Sequence, residues 1–409
     1  MSGNARSRRI LFIGLNYAPE PIGIGPYSAG LMEALAERGH TIHAVVGQPY
    51  YPEWKMHEFF RGRWKNTTEN GVTITRCPHY IPANPTGSRR LAHHLSFASS
   101  AYPAARLARR DLRPDLVMTV APSLVAAPVA ARMARRAGVP YWLHVQDFEV
   151  GAAQATGLLG KGRVADAALR FEERALAAAD IVSTISGPMR RLLAAKGVAP
   201  EKIVELRNWA NHSAPAGERD YRAEWGMEGK FVALYSGNIA NKQGLDTVVE
   251  AARLLAHRKD IAVLVCGDGP TRGRLEKLGE GIDTLHFKAL QPSGDVGDLL
   301  HMADVHLLPQ LVEAADLVLP SKLGNMLASG RPILATVPKG TGIADEIEGS
   351  GVIVPPGDPA ALAWAIERLA GDPASCKVMG ASARRAGVER WSKGQVVDGF
   401  EAAMDDLLG

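Results

Sequence analysis

Cysteine is nearly missing from this chain of 409 residues: Cys77, Cys266 and Cys376 are far apart and form no Cys-x-x-Cys pair. An odd, scattered set excludes a disulfide framework and argues against a structural zinc site. Long apolar runs are missing too. The longest weakly polar stretch, 116–131, is broken by Pro122 and Pro128, so it cannot span a bilayer. Ser7-Arg8-Arg9 precedes an apolar stretch that ends at Asn16, with no helical core or cleavage pattern of an export signal. The chain is therefore expected in the cytoplasm, touching at most the inner face of the plasma membrane. No Asp-x-Asp motif is present to hold a divalent ion on a diphosphate.

What is present is ordinary globular material. Hydrophobic residues make up 46% and charged residues 22%, enough apolar surface for large cores and too little net charge for disorder. The length suits two domains. Charge is uneven: residues 1–205 hold 26 Lys+Arg against 16 Asp+Glu, residues 206–409 hold 21 against 27. A basic first half suits an anionic partner.

Short apolar runs alternate with stretches of helical spacing. Strands are predicted over 10–15, 41–46, 116–120, 141–145 and 181–185, with helices over 28–38, 121–137, 164–179 and 188–195. The pattern restarts after residue 205. Strands are then predicted over 231–236, 262–266, 284–287, 305–308 and 332–336, helices over 246–257, 271–278, 295–302 and 321–329, and a last helix over 393–408. Such alternation gives parallel βαβ units. The fold class is α/β: two Rossmann-like, doubly wound parallel-sheet domains facing across a cleft. They are expected at 1–210 and 211–409, with the linker in 210–224 and the last helix packing back on the first domain. Ligands are expected at the carboxyl ends of the strands, where loops lead into helix N-termini.

Three kinds of loop stand at such places. Residues 17–28 carry Gly23 and Gly25, which let backbone N–H groups approach an anion. This is not a dinucleotide fingerprint: Ser28 stands where a third glycine belongs, and no acidic residue follows the second strand. In the second half, Gly237, Asn238, Lys242 and Gly244 lie between a strand and a helix, and Gly267-Asp268-Gly269-Pro270 forms a second tight turn. Leu319-Pro320-Ser321-Lys322 opens a third helix. A lysine in a first turn opposes the helix dipole, a penalty that a bound anion reverses.

Together with Ala179-Asp180-Ile181, Leu206-Arg207-Asn208-Trp209, Ala303-Asp304-Val305 and Ala328-Ser329-Gly330, these loops resemble glycosyltransferase family 4 over nearly the whole chain. Pro49-Tyr50-Tyr51-Pro52-Glu53-Trp54, His144-Val145-Gln146-Asp147 and 316–322 are similar to its colanic-acid fucosyltransferase and amino-fucose transferase subgroup. The resemblance implies the GT-B fold and sugar transfer from a nucleoside diphosphate donor with retention of anomeric configuration. It implies no cofactor and no catalytic metal. The donor is GDP- or UDP-linked, with guanine the first choice, and the acceptor is a lipid-linked or other saccharide in surface polysaccharide assembly. Donor contacts are assigned to Gly23, Gly25, Gly237, Asn238, Lys242, Gly267, Asp268, Leu290, Asp316, Leu319, Ser321 and Lys322. Catalytic roles go to Asp147, His144 and Lys322. The sequence departs from the family where two glutamates are usual, at Leu317 and Asn325, and Asp316 takes over the donor-sugar hydroxyls.

The acceptor side is assigned to Tyr50, Tyr51 and Trp54. Residues 48–66 hold six of the 25 aromatics, with Lys55, Arg61, Arg63 and Lys65 interleaved. Such surfaces suit anionic lipid headgroups, or a loop packed on its own domain. No nucleic-acid-binding motif is present. Alternatives to the transferase are a GT-B nucleotide-sugar epimerase and a non-catalytic sugar-nucleotide-binding protein; a nicotinamide oxidoreductase is disfavoured by the broken fingerprint.

Overall fold

The computed structural model describes residues 6–21, 23–56, 58–151, 162–211, 217–311 and 319–409. The chain forms two compact units. The first comprises 1–185, 189–206 and 397–409, the second 186–188 and 207–396.

The first unit is an eight-stranded sheet of β1 (Arg9–Gly14), β2 (Thr41–Gly47), β3 (Lys65–Glu69), β4 (Val72–Cys77), β5 (Leu116–Ala121), β6 (Tyr141–Val145), β7 (Ile181–Thr184) and β8 (Ile203–Glu205). Their order is β3-β4-β2-β1-β5-β6-β7-β8. All neighbours are parallel except β3 and β4. Strands β5, β6 and β7 are buried end to end, as a sheet covered by helices on both faces requires. The predicted strands agree with these to within about a residue or two at either end.

The helix predicted to start at 28 starts instead at Gly25, where Pro26 is already set for a first turn. The helix predicted from 121 begins only at Ala127, because the chain first turns through Ser123 at φ +83°. Besides the short strand β8, two features of this unit were not predicted. One is the β3–β4 hairpin, which turns at Asn70 and Gly71, both at positive φ. The other is the long helix Gly87–Leu112, which buries His93, Phe97, Ala98, Ala101, Ala105 and Ala108.

The C-terminal helix Lys393–Leu408 brings Phe400 flat onto Trp142, with ring centroids 5.6 Å apart. Glu401 takes the Arg38 guanidinium and accepts the His40 Nε2–H at 3.0 Å, and Asp398 pairs with Arg38 at 2.7 Å. Phe400 is buried. Phe400→Ala is expected to destabilise the first unit by about 3–5 kcal/mol, the usual cost of emptying an aromatic core site. Urea unfolding followed by tryptophan fluorescence checks this.

The second unit is a six-stranded, all-parallel sheet of β9 (Phe231–Ser236), β10 (Ile261–Cys266), β11 (Leu285–Lys288), β12 (Val305–Pro309), β13 (Ile333–Thr336) and β14 (Gly351–Val354). Their order is β11-β10-β9-β12-β13-β14. The unpredicted members include β14, the short helices Tyr221–Trp225 and Gly342–Glu346, and the helices Pro359–Ala370 and Pro373–Trp391. The helix Lys322–Ser329 packs closely on Pro373–Trp391: a Cβ on Gly324 would meet the Trp391 ring at 2.5 Å, and one on Gly387 the Ala328 backbone at 2.7 Å.

A repeated device sets the strand starts. Asp115, Asp180 and Asp304 each stand one residue before a strand. Each accepts the backbone N–H of the neighbouring strand, from Arg9, Tyr141 and Val232, at 2.8 Å. Two of these aspartates lie in the family's Ala-Asp-Ile and Ala-Asp-Val motifs, so those motifs serve the fold.

In both sheets the first strand lies between neighbours reached in opposite directions, β2 and β5 around β1, β10 and β12 around β9. Each unit therefore has a topological switch point at the carboxyl end of its first strand, where α/β sheets bind ligands. The loops there are 15–24 and 237–245.

Candidate active site

In the second unit the loop after β9 is laced to the loop after β10. Gly237 N–H donates to the Cys266 carbonyl at 3.0 Å, Ile239 N–H to that of Asp268 at 2.8 Å, and the Thr271 hydroxyl to that of Ile239 at 2.9 Å. Only glycine permits this closeness: a Cβ on Gly267 would lie 1.9 Å from the Gly237 carbonyl oxygen, and one on Gly269 2.3 Å from that of Ile239. Gly267 was assigned to the donor; the space a Cβ would take is filled by the Gly237 carbonyl, so its role is to seat the turn. Arg272, which sequence reasoning missed, donates to the Gly267 carbonyl and, at 2.9 Å, to that of Lys288, pinning the outer loops.

Lys322 is the first residue of the helix Lys322–Ser329 and is half-buried. Its ammonium lies 3.9 Å over the Tyr235 ring. A Cβ on Gly237 would be 3.8 Å from that nitrogen. Tyr235 OH donates to the Asn238 carbonyl at 2.6 Å, tying ring and turn together. A cation, a positive-φ glycine turn and a helix N-terminus thus converge at the switch point. The Lys322 charge also reaches His306 on β12, which burial drives down to about 3 and so keeps neutral.

The other predicted donor residues divide. Asn238, Asp268 and Ser321 are exposed beside these loops. Leu319 is buried in the core under the helix Lys322–Ser329, leaving its backbone for any ligand contact. Leu290 is 65% exposed beyond the end of β11, the outer strand of the sheet. Lys242 lies on the short 3-10 turn Asn241–Gln243, and Asp316 falls outside the described residues. Asn325, where the family has a glutamate, accepts the Asn211 N–H at 2.8 Å and so holds the incoming chain. Arg207 pairs with the buried Glu346, which also takes Arg390 at 3.3 Å and the Trp391 indole N–H at 3.3 Å.

In the first unit the switch-point loop folds on itself. Gly23 has φ +77° and leaves its Cβ space against the Tyr51 ring; a Cβ on Gly25 would press on Glu20 at 3.1 Å. Glu20 is buried and accepts the Tyr50 and Tyr51 N–H groups, both at 3.2 Å, and the Asn16 amide at 2.9 Å. Burial raises its pKa.

Two of the assigned residues in this unit lie in its interior. Tyr50 was assigned to the acceptor, yet it is buried, its ring packed edge-on against Trp54 at 5.1 Å, His79 at 5.5 Å and His93 at 4.6 Å. It fastens the loop; Tyr51 and Trp54 are half-buried. His144 was given a catalytic role, but it lies in the interior of the sheet. Its Nδ1 is 2.7 Å from the Ser183 hydroxyl, its ring meets Phe400 edge-on, and burial pushes its pKa down to about 3. Asp147 sits half-buried just past the end of β6.

Comparison with known proteins agrees with this architecture. Residues 23–209 match the glycosyl transferase 4-like domain family, and residues 230–372 match glycosyl transferases group 1. The chain is 41% identical over 335 residues to WcaI of Escherichia coli (strain K12), a protein named as a colanic acid biosynthesis glycosyl transferase, covering 79% of this chain and 81% of that one. It is 26% identical to the alpha-D-kanosaminyltransferase of Streptomyces kanamyceticus, over 68% of this chain and 71% of that one. Among solved structures, Anabaena Alr3699/HepE in complex with UDP aligns with a TM-score of 0.70 at 16% identity, covering 98% of this chain and all of that one. Sucrose-phosphate synthase of Thermosynechococcus elongatus aligns at 0.71 and 18%, over 98% and 99%. The paired parallel sheets, the glycine-seated turn after β9 and these matches make one case: the chain belongs to glycosyltransferase family 4 and is a glycosyltransferase of the GT-B fold.

Proposed function

We propose that this enzyme moves a sugar from a nucleoside diphosphate donor to a saccharide acceptor in surface polysaccharide assembly, retaining anomeric configuration and using no metal ion. The observation that carries the reading is the Lys322 ammonium at a helix N-terminus, packed on Tyr235 under the Gly237 turn. A cation placed against the helix dipole is unfavourable alone and favourable once a diphosphate sits there. In the departure step the C–O bond to the diphosphate breaks and negative charge grows on the leaving oxygen. Lys322, the helix N-terminus and the backbone N–H groups of the turn stabilise that charge, the work a divalent ion does elsewhere. Lys242, on the following turn, is assigned to the donor as well. The acceptor hydroxyl attacks from the same face and passes its proton to the departing phosphate, with Asp147 orienting the incoming group. The likeness to WcaI supports a place in extracellular polysaccharide synthesis, and the likeness to a protein crystallised with UDP supports a nucleotide donor. The lipid-linked acceptor and contact with an anionic membrane complete the proposal.

The test is a thermal-shift panel of GDP, UDP, ADP and TDP. One diphosphate should raise the unfolding midpoint, since a ligand of the native state stabilises it in proportion to its occupancy. No shift with any of the four would overturn the donor reading. Proton NMR of the product from the matching sugar nucleotide checks retention.

A further inference from the structure

A second polar site lies in the first unit, on the β3–β4 hairpin and the segment that leads into it. In the antiparallel pair of β3 and β4, Lys65 stands directly opposite Arg76. Like charges in that register repel. Arg76 is also among the most deeply buried side chains of the protein, 1% exposed, and a guanidinium cannot shed its charge there. Its Nη2 reaches the Glu69 carboxylate at 3.2 Å, whereas its Nε and Nη1 are buried with no hydrogen-bond partner. The Tyr17 hydroxyl, which feels the Arg76 charge, is buried without a partner as well. Buried donors left open in this way are costly unless something fills them.

Lys65, Glu69 and Arg76 border a cavity of about 400 Å³, together with the polar Asn66 and Thr67 and the apolar Pro19, Phe59 and Phe60. The Phe60 ring lies 5.0 Å from the Arg76 guanidinium, and the Lys65 ammonium 4.4 Å from the centre of the Phe59 ring. Phe59 is 77% exposed beside the Lys65 ammonium. Thr67 adds a hydroxyl, already donated to Glu69 at 2.7 Å, whose oxygen can still accept. Two cations against one carboxylate leave an excess positive charge, which a phosphate matches better than a neutral sugar does.

We propose that this cavity binds an organic phosphate, its phosphate group on Arg76 and Lys65 and its apolar portion on Phe59, Phe60 and Pro19. The proposal deepens the acceptor side of the transfer reading and rests on it only for the ligand's role as acceptor; the binding itself is independent of turnover.

The test titrates octyl phosphate into the full-length protein, with the stabilising nucleoside diphosphate already saturating so that the Lys322 site is filled. Tryptophan fluorescence and calorimetry read the binding. Octyl phosphate should bind at least about tenfold more tightly than either inorganic phosphate or octanol, because both halves of the site are used. Lys65→Gln should weaken octyl phosphate by about tenfold or more, and Phe59→Ser should weaken octyl phosphate but not inorganic phosphate. Both variants should keep the wild-type response to the nucleoside diphosphate, which shows that they fold. Arg76→Gln is the more direct change but removes a buried group, so Lys65→Gln carries the decision. The proposal is overturned if Lys65→Gln binds octyl phosphate as well as the wild type does. Equal affinity for inorganic phosphate or for octanol overturns it too, by removing one half of the site. If no nucleoside diphosphate binds but octyl phosphate does, and Lys65→Gln loses it, the donor reading fails and this one stands.

Discussion

Lys322→Ala should lower the rate of sugar transfer by about 10²–10³-fold, the usual cost of removing one group that stabilises developing charge. The folded protein should barely notice. Removing a cation from a helix N-terminus relieves an unfavourable dipole interaction of about 0.3–1 kcal/mol, and losing its contact with the Tyr235 ring costs a similar amount. The urea midpoint should therefore stay near that of the wild type. Binding of the nucleoside diphosphate should weaken less than the rate falls, because charge on the leaving oxygen is greatest in the transition state. Lys322→Arg keeps the charge but spreads it over a planar fork, and should recover binding more than rate. Steady-state kinetics beside isothermal titration separates the two effects. A variant that turns over like the wild type would take Lys322 out of the mechanism.

Gly267→Val should unfold the second unit or leave it unable to bind nucleotide. The added Cβ would sit 1.9 Å from the Gly237 carbonyl oxygen, and the backbone there has φ +154°. Overpacking of this kind costs about 1–3 kcal/mol and a side chain in that backbone region a further 1–3 kcal/mol, so about 4 kcal/mol is expected in all. The damage is directed: relief of the clash moves the Gly237 turn, and with it the surface beside Lys322. Gly273→Ala is the control. It lies in the helix Arg272–Leu278 with open space around it, and should be neutral or stabilising by about 0.5–1 kcal/mol. Urea unfolding of both variants, followed by the nucleotide thermal shift, gives the comparison. A Gly267→Val protein that unfolds and binds like the wild type would mean that the two loops are not seated as described.

The parts of this fold that the sequence makes legible are those where both faces of a strand are buried. Tyr141–Val145 and Phe231–Ser236 read as continuous apolar runs because neither side meets water. The edge strand β3, Lys-Asn-Thr-Thr-Glu, has no apolar pattern; only the Asn70-Gly71 pair after it marks a hairpin. The helix Gly87–Leu112 packs mainly through alanines, a faint signal that Pro103 obscures further.

The site divides in the same manner. Lys322 stands out in the sequence because a cation at a helix start contradicts the dipole. Its partner Tyr235 does not, since that contact joins residues far apart in the chain. His144 was given a catalytic role from the family motif His144-Val145-Gln146-Asp147. The residues that make it a core histidine, Ser183 and Phe400, come from a neighbouring strand and from the C-terminal helix. Glu20 and Arg76 are likewise unremarkable in sequence; it is their burial, with hydrogen bonds made in one case and left open in the other, that distinguishes them.

The central claim is that lysine and backbone N–H groups, not a divalent ion, hold the donor diphosphate. Calorimetric titration of the stabilising nucleoside diphosphate in excess EDTA, repeated with magnesium and with manganese, addresses it directly. The dissociation constants should agree within about twofold, less than 0.5 kcal/mol. A loss of about tenfold or more on chelation, restored by either metal, would contradict it.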